Sequence, residues 1–266
     1  MTASATDRAN EDVLLRADEG GVTTLTLNRP DKFNSMTEDL IQRLLDTLEA
    51  LRGDASCRVV VLTASGTRAF CTGHDLGEMA EPHDRAFFQE SFRRSAELAR
   101  AMLRLPQPII AKVHGLSTAG GTLLVSAADM AVASREARFA ANGITNGLFC
   151  SMPAVTLSRN VPRKQAFNML FTGAFIDADQ ALEIGLVNQV VDKKGLDATV
   201  AELAAQIVAK PRHAVARGKA MFYEQLQMPV SDALDYAARL MTDDMESAEA
   251  KEGIRAFMEK RPPVWE

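Results

Sequence analysis

The sequence predicts an α/β fold, a parallel sheet core followed by a helical C-terminal region. Three observations carry this. Short runs of β-branched and other apolar residues alternate with amphipathic stretches from Val13 to about Ala133, the rhythm of right-handed β-α-β units. Beyond about Pro153 the pattern turns to helices, with one late strand. The length, 266 residues, is about the upper end for one domain and leaves room for a sizeable core.

The elements follow in order. Val13-Leu14-Leu15 and Val22 to Leu27 flank Glu19-Gly20-Gly21, a hairpin signal, and Asn28-Arg29-Pro30 ends the second strand. Thr37 precedes Glu38 and Asp39 and is a helix cap with acids in the first turn. The helix it opens carries Leu40, Ile41, Leu44, Leu45 and Leu48 on one face. Val59 to Leu62 is a strand, Arg85 to Arg104 a long helix, and Ile109 to Val113 a strand entered through Pro106-Gln107-Pro108. A helix starting at Gly120-Gly121 leads into the strand Met130 to Ala133. Pro162 fits a first helical turn, Asp177-Ala178-Asp179 caps another helix, and Val187 to Val191 is the late strand. Leu196 to Met258 reads as three or four helices.

Composition narrows the function. Apolar residues make up 47% and charged residues 24% of the chain, with a net charge of −5. Acids and bases are mixed, which argues against bulk nucleic-acid binding, and no apolar run approaches the roughly 20 residues of a membrane span. Three widely spaced cysteines, Cys57, Cys71 and Cys150, argue against a disulfide framework and for a reducing compartment. Four histidines without a ligand-type spacing give no metal site. Met1 to Glu11 is polar and contains acids, unlike a secretory or transit signal, so a cytoplasmic protein with a disordered tail at 1–11 is expected.

Two short stretches look like halves of one device. Phe70-Cys71-Thr72-Gly73-His74-Asp75-Leu76 and His114 to Gly121 each follow a β-rich run, and each lacks bulk where a ligand would approach the backbone. Together they can aim two main-chain N–H groups at one oxygen. Such a pair stabilises an oxyanion, and losing one donor of this kind lowers a rate about 10²–10³-fold. Gly120 also opens a helix, where unpaired N–H groups and the positive dipole end favour negative charge. Other residues have plainer readings. His114 is expected to be a satisfied structural histidine, Asp75 a helix cap, Asp129 structural, and Met79, Met102, Met169 and Met221 core or pocket filler.

With these pieces placed, the chain resembles the enoyl-CoA hydratase/isomerase superfamily, also called the crotonase family. The carriers are Leu27-Asn28-Arg29-Pro30, the Phe70–Met79 loop, the His114–Asp129 segment, Leu170-Phe171-Thr172-Gly173, Ala181 to Val187, and the ending Phe257 to Trp265. The resemblance implies a crotonase-type ββα spiral, residues 12–200, as an acyl-CoA-binding core. It implies a helical trimerisation region at 201–266, trimers that often pair into hexamers, and a coenzyme A thioester as substrate with no cofactor. It places the oxyanion hole at the N–H groups of His74 and Gly120, and Asp75, Leu76, Gly121, Leu123, Gly143, Cys150 and Ser151 are expected to line the substrate site. It assigns CoA contacts to Phe257 and Lys260, often reaching a neighbouring subunit. Lys32, after Arg-Pro-Asp, is a further phosphate candidate.

The same resemblance exposes a departure. Hydration of an enoyl double bond uses two carboxylates, one activating water and one handling a proton. The family's positions for them correspond here to Leu123 and Gly143, and a third acidic slot to Ser151. None carries an acid. The polar residues left near the site are the His74 ring, Thr118, Thr122, Asn142, Asn146, Cys150 and Ser151; Cys150 and Ser151 have no base beside them in sequence. A Gly-His-Asp loop also occurs in crotonase-fold methylmalonyl-CoA decarboxylases, whose chemistry needs an enolate-stabilising hole but no base to remove a carbon-bound proton. Three functions follow: a thioester-processing enzyme with weak or no crotonyl-CoA hydration, a decarboxylase-like lyase using His74, or a silent acyl-CoA binder.

Overall fold

The computed structural model describes residues 12–265; the tail expected at 1–11 lies outside them. The first hairpin pairs β1 (Leu14–Glu19) with β2 (Val22–Leu27) antiparallel. Every later pairing in that sheet is parallel, through β3 (Val59–Ala64), β5 (Ile109–Val113), β7 (Met130–Ser134) and β10 (Gln189–Val191). The order is β1-β2-β3-β5-β7-β10. A second sheet has the order β4-β6-β8-β9, from β4 (Ala69–Cys71), β6 (Leu116–Thr118), β8 (Arg138–Ala140) and β9 (Ile176–Asp177). The chain therefore steps from the first sheet to the second three times, at β3–β4, β5–β6 and β7–β8. Each step is one turn of a ββα spiral, and it stacks the loops that follow β4 and β6 beside one another.

The helices form where the sequence caps them. Thr37 accepts a hydrogen bond from the Leu40 N–H and opens α1 (Glu38–Arg52), whose Leu40, Ile41, Leu44, Leu48 and Leu51 are buried. Each such leucine contributes about 1.5–3 kcal/mol by leaving water. A single turn, α2 (Leu76–Met79), precedes α3 (Arg85–Arg104). Helix α4 (Gly120–Ala127) is buried at all eight positions, and its two hydroxyl side chains, Thr122 and Ser126, are bonded to backbone carbonyls. It packs on α5 (Ser151–Asn160), which is followed by α6 (Arg163–Thr172) and α7 (Ala178–Glu183). Pro162 stands one residue outside α6, as its N-cap, and Asp177 caps α7 with a reciprocal bond to Gln180.

Residue 200 lies inside α8 (Leu196–Val208), whose Leu196, Val200 and Ala204 cover the outer face of β3, β5 and β7. Three further helices follow: α9 (Arg212–Gln225), α10 (Val230–Met245) and α11 (Ala248–Glu259). Helix α9 is tied to the core by Lys219, whose buried ammonium donates to Asp129 at 2.7 Å and to the Met102 and Gln107 carbonyls. Tyr223 donates to the other Asp129 oxygen at 2.8 Å, so Asp129 is a structural anchor. His114 departs from expectation: it is buried, but its Nε2 has no hydrogen-bond partner among the described residues. Burial, then the charges of Lys193 and Lys112, pushes its pKa down and keeps the ring neutral.

Candidate active site: two amides and a histidine

The first loop is set by one pairing. Met36 forms a parallel bridge with His74, in which the Met36 N–H donates to the Gly73 carbonyl at 2.7 Å and the Asp75 N–H donates to the Met36 carbonyl at 2.8 Å. In a parallel bridge the residue between those two groups turns its own N–H and C=O the other way. The His74 N–H accordingly meets no acceptor among the described residues. An ion pair holds the loop below it. Arg29 donates to Asp75 at 2.9 Å and to the Ser35 carbonyl at 2.6 Å, and the Ser35 hydroxyl donates to the same carboxylate. Burial works to raise the Asp75 pKa, but the hydrogen bonds from Arg29 and Ser35 outweigh it and the pKa is lowered. Asp75 also caps α2, accepting from the Gly77 and Glu78 N–H groups.

The second loop ends at Gly120, the first residue of α4, so its N–H is one of the helix's unpaired donors. It too has no acceptor among the described residues. The preceding residue, Ala119, has φ 48° and ψ −114°, a strained conformation for a residue with a Cβ, of order 1–3 kcal/mol. It is held there because its N–H donates to the Ala140 carbonyl and its carbonyl accepts from Leu123. The two loops touch: a Cβ placed on Gly73 would lie 2.8 Å from the Gly120 nitrogen.

The glycines work differently from the expectation that their bareness admits a ligand. A Cβ on Gly121 would stand 2.0 Å from the Cys71 carbonyl oxygen, and one on Gly120 would stand 2.5 Å from the Met36 methyl. Their missing Cβ atoms therefore serve loop-on-loop packing, which fixes the N–H groups that remain.

The other residues of interest divide. Leu76 begins α2 and is exposed, while Leu123 lies 1% exposed inside α4. Gly143 belongs to a 3₁₀ turn, Asn142–Asn146, that folds back on itself. The Leu148 N–H donates to the Gly143 carbonyl at 3.0 Å and the Gly143 N–H points at the Cys150 sulfur at 3.2 Å. A Cβ on Gly143 would meet the Leu148 oxygen at 2.6 Å, so this position is closed to any side chain in the present loop. Cys150 is buried, and burial raises its pKa against the Gly143 N–H. Cys71 is enclosed and is pushed up to about 12. Neither thiol is primed as a nucleophile. Ser151 is exposed at the start of α5, its hydroxyl 3.4 Å from the Phe149 carbonyl. Thr118 and Thr122 spend their hydroxyls on backbone carbonyls.

Lys32 ends an exposed 3₁₀ turn, beside Phe33, on whose ring the Arg68 guanidinium rests at 4.1 Å. Phe257 is 81% exposed near the end of α11, and Lys260 caps that helix. No hydrogen bond or ring contact joins that pair to Lys32 or His74 within the described chain.

Sequence reasoning missed what lies behind His74. Its Nε2 is 2.8 Å from the hydroxyl of buried Ser95, and Phe92 meets the ring edge-on at 5.6 Å. One turn earlier, Ser91 donates to Glu38, which Arg94 also approaches at 3.4 Å. Glu78 accepts the Glu38 N–H at 3.0 Å. The available signal was in α3, where Ser91 and Ser95 occupy the buried stripe continued by Leu98 and Met102. Burial lowers the His74 pKa, against the pull of Glu38.

A ββα spiral with two free amides meeting at one helix start defines a class of thioester-handling proteins, and the chain belongs to the enoyl-CoA hydratase/isomerase family, whose pattern matches residues 17–266. It is 38% identical over 247 residues to enoyl-CoA hydratase domain-containing protein 3, mitochondrial, of Xenopus laevis, covering 93% of this chain and 84% of that one. A crystal structure of an enoyl-CoA hydratase from Mycobacterium smegmatis superposes with a TM-score of 0.94 at 49% identity, covering 96% of this chain and 99% of that one. The human enoyl-CoA hydratase domain-containing protein 3 superposes with a TM-score of 0.93 at 36% identity, covering 96% and 100%.

Proposed function

We propose that this chain is an acyl-CoA-processing enzyme in which the N–H groups of His74 and Gly120 grip the thioester oxygen and stabilise an enolate. The observation that carries this is the Met36–His74 bridge, which leaves the His74 amide unpaired where Gly73 touches Gly120. Fixed donors of this kind act most strongly on charge that develops during reaction. Ordinary hydration is not expected of it. Leu123 is sealed in α4, and the Gly143 loop has closed over the space a side chain would use, so the two carboxylates that water addition needs have no place there.

A second reading, favoured by the His74 ring beside the hole, is a decarboxylase-like lyase. An α-carboxylate leaves as CO₂, and the electrons of its C–C bond pass to the enolate whose oxygen the two amides hold. A proton taken from solvent, directly or through the His74 ring, then adds to that carbon and gives the shortened acyl-CoA. Lys32, Phe257 and Lys260 serve as CoA contacts in this proposal, the last two from a neighbouring subunit of a homo-trimer or hexamer. Among the described residues no helix is long and apolar enough to cross a membrane. We place the protein in the cytoplasm, a proposal that cell fractionation decides, since the Xenopus relative is named as mitochondrial.

The experiment is incubation with a mixed acyl-CoA library followed by mass spectrometry. Loss of CO₂, hydrolysis or isomerisation supports the enzyme and says which kind. Binding without any mass or chromatographic change points to a silent acyl-CoA binder, and vigorous gain of water by crotonyl-CoA overturns the reading of Leu123 and Gly143.

A further inference from the structure

We propose that Ser95 is a positioning residue that fixes the His74 ring with its proton on Nδ1, and that this donor selects thioesters bearing an oxygen on the carbon next to the thioester carbonyl. The inference rests on the reading that the His74 and Gly120 amides hold that carbonyl.

Ser95 lies on α3 and is 1% exposed. A buried hydroxyl needs an acceptor for its proton, and Nε2 of His74, at 2.8 Å, is the one partner it has among the described residues. The hydroxyl therefore donates, Nε2 accepts with its lone pair, and the proton of the neutral ring sits on Nδ1. The reverse arrangement, with Nε2–H donating, leaves the Ser95 proton buried and unsatisfied. Phe92, packed edge-on, holds the ring in this orientation. The charged group facing the ring, Glu38, is engaged by Ser91 and Arg94 rather than by the imidazole. Burial disfavours the imidazolium and so keeps the ring in the form the assignment needs.

Nδ1 has no hydrogen-bond partner and is not among the sealed unpartnered atoms. Within one histidine it lies at most about 5 Å from the residue's own amide nitrogen, a limit set by bond lengths. An acyl group whose carbonyl accepts the His74 N–H thus brings its α-substituent within reach of the Nδ1–H. A hydroxyl or carbonyl oxygen there gains a hydrogen bond; a plain alkyl carbon gains nothing.

Two measurements on the full-length protein test this. With ¹⁵N-labelled histidine, NMR of the ring reports which nitrogen carries the proton: Nδ1–H is expected in the wild type and in Ser95→Thr, and loss of that preference in Ser95→Ala. Calorimetric titration then compares butyryl-CoA with 2-hydroxybutyryl-CoA, which differ by one oxygen. The hydroxylated ester is expected to bind tighter, with Ser95→Ala weakening it about tenfold, in the range of one hydrogen bond, and leaving butyryl-CoA within about twofold. An Nε2–H tautomer in the wild type, or an affinity ratio that Ser95→Ala does not change, overturns the proposal. If butyryl-CoA binds and the ratio is one, selection alone fails. If neither ester binds, the two-amide reading fails with it.

Discussion

At Gly121 one methyl group decides whether the two loops can meet. Its Cβ would sit 2.0 Å from a backbone oxygen, and backbone yields less readily than a side chain. Gly121→Ala is expected to lower stability by about 1–3 kcal/mol, the range for overpacking, and to reduce acyl-CoA binding; urea denaturation and calorimetry check both. The histidines set a pH dependence. His74 is shifted down by burial, and His114 by burial and then by Lys193 and Lys112. The unfolded chain therefore takes up protons first as pH falls. Stability is full above the ordinary histidine pKa of about 6.5 and declines below it. Denaturation midpoints are expected to fall from pH 7 to pH 5.5 and to fall less in His114→Gln. Legibility also divides here by residue. The two loops were visible because they follow β-rich runs and carry small residues, while His74 and Gly120 themselves entered through the family resemblance. Ser95 and Arg29 were not, because each acts on a loop distant in sequence, across 21 and 46 positions.

Among the elements, the α4 start carries a strain that can be released. Ala119 holds a positive φ because its N–H and C=O are both bonded, and glycine adopts that conformation without the Cβ penalty. Ala119→Gly is expected to raise stability by about 1 kcal/mol after the extra freedom of the unfolded glycine is counted. Thermal or urea unfolding reads this directly, and a loss of similar size would show that the Ala119 methyl packs usefully. The strands and long helices were legible because apolar period and caps agree: Thr37 caps α1, and α3 runs from Arg85 to Arg104 as its pattern predicts. Less legible was the stepping of the chain between two sheets. The short strands β4, β6 and β8 have three residues each, too few for a period to show, so the spiral entered the sequence reading through family resemblance.

For the whole molecule, the C-terminal helices leave apolar side chains exposed in the single chain. Helix α10 buries no residue in the single chain, while Val230, Leu234, Met241 and Met245 stand exposed, as do Phe222 on α9, Leu226 just past its end and Met258 on α11. Phe167 and Phe171 stack in a second exposed patch on α6. The homo-trimer or hexamer proposed above would cover these surfaces, since large exposed apolar patches mark contacts with other chains and two different faces on one chain suit the heterologous contacts of a closed ring. Leu234→Asp with Met241→Asp is expected to reduce the assembled mass in sedimentation or light scattering to that of a monomer. An unchanged trimer or hexamer would place the interface elsewhere.

The central claim concerns one bond, the thioester C=O between the amides of His74 and Gly120. Isotope-edited infrared spectroscopy of a ¹³C-labelled thioester measures it directly. Polarisation by two donors predicts that the carbonyl stretch moves to lower frequency when the ester binds; a bound ester whose stretch matches that in water, or lies above it, contradicts the account.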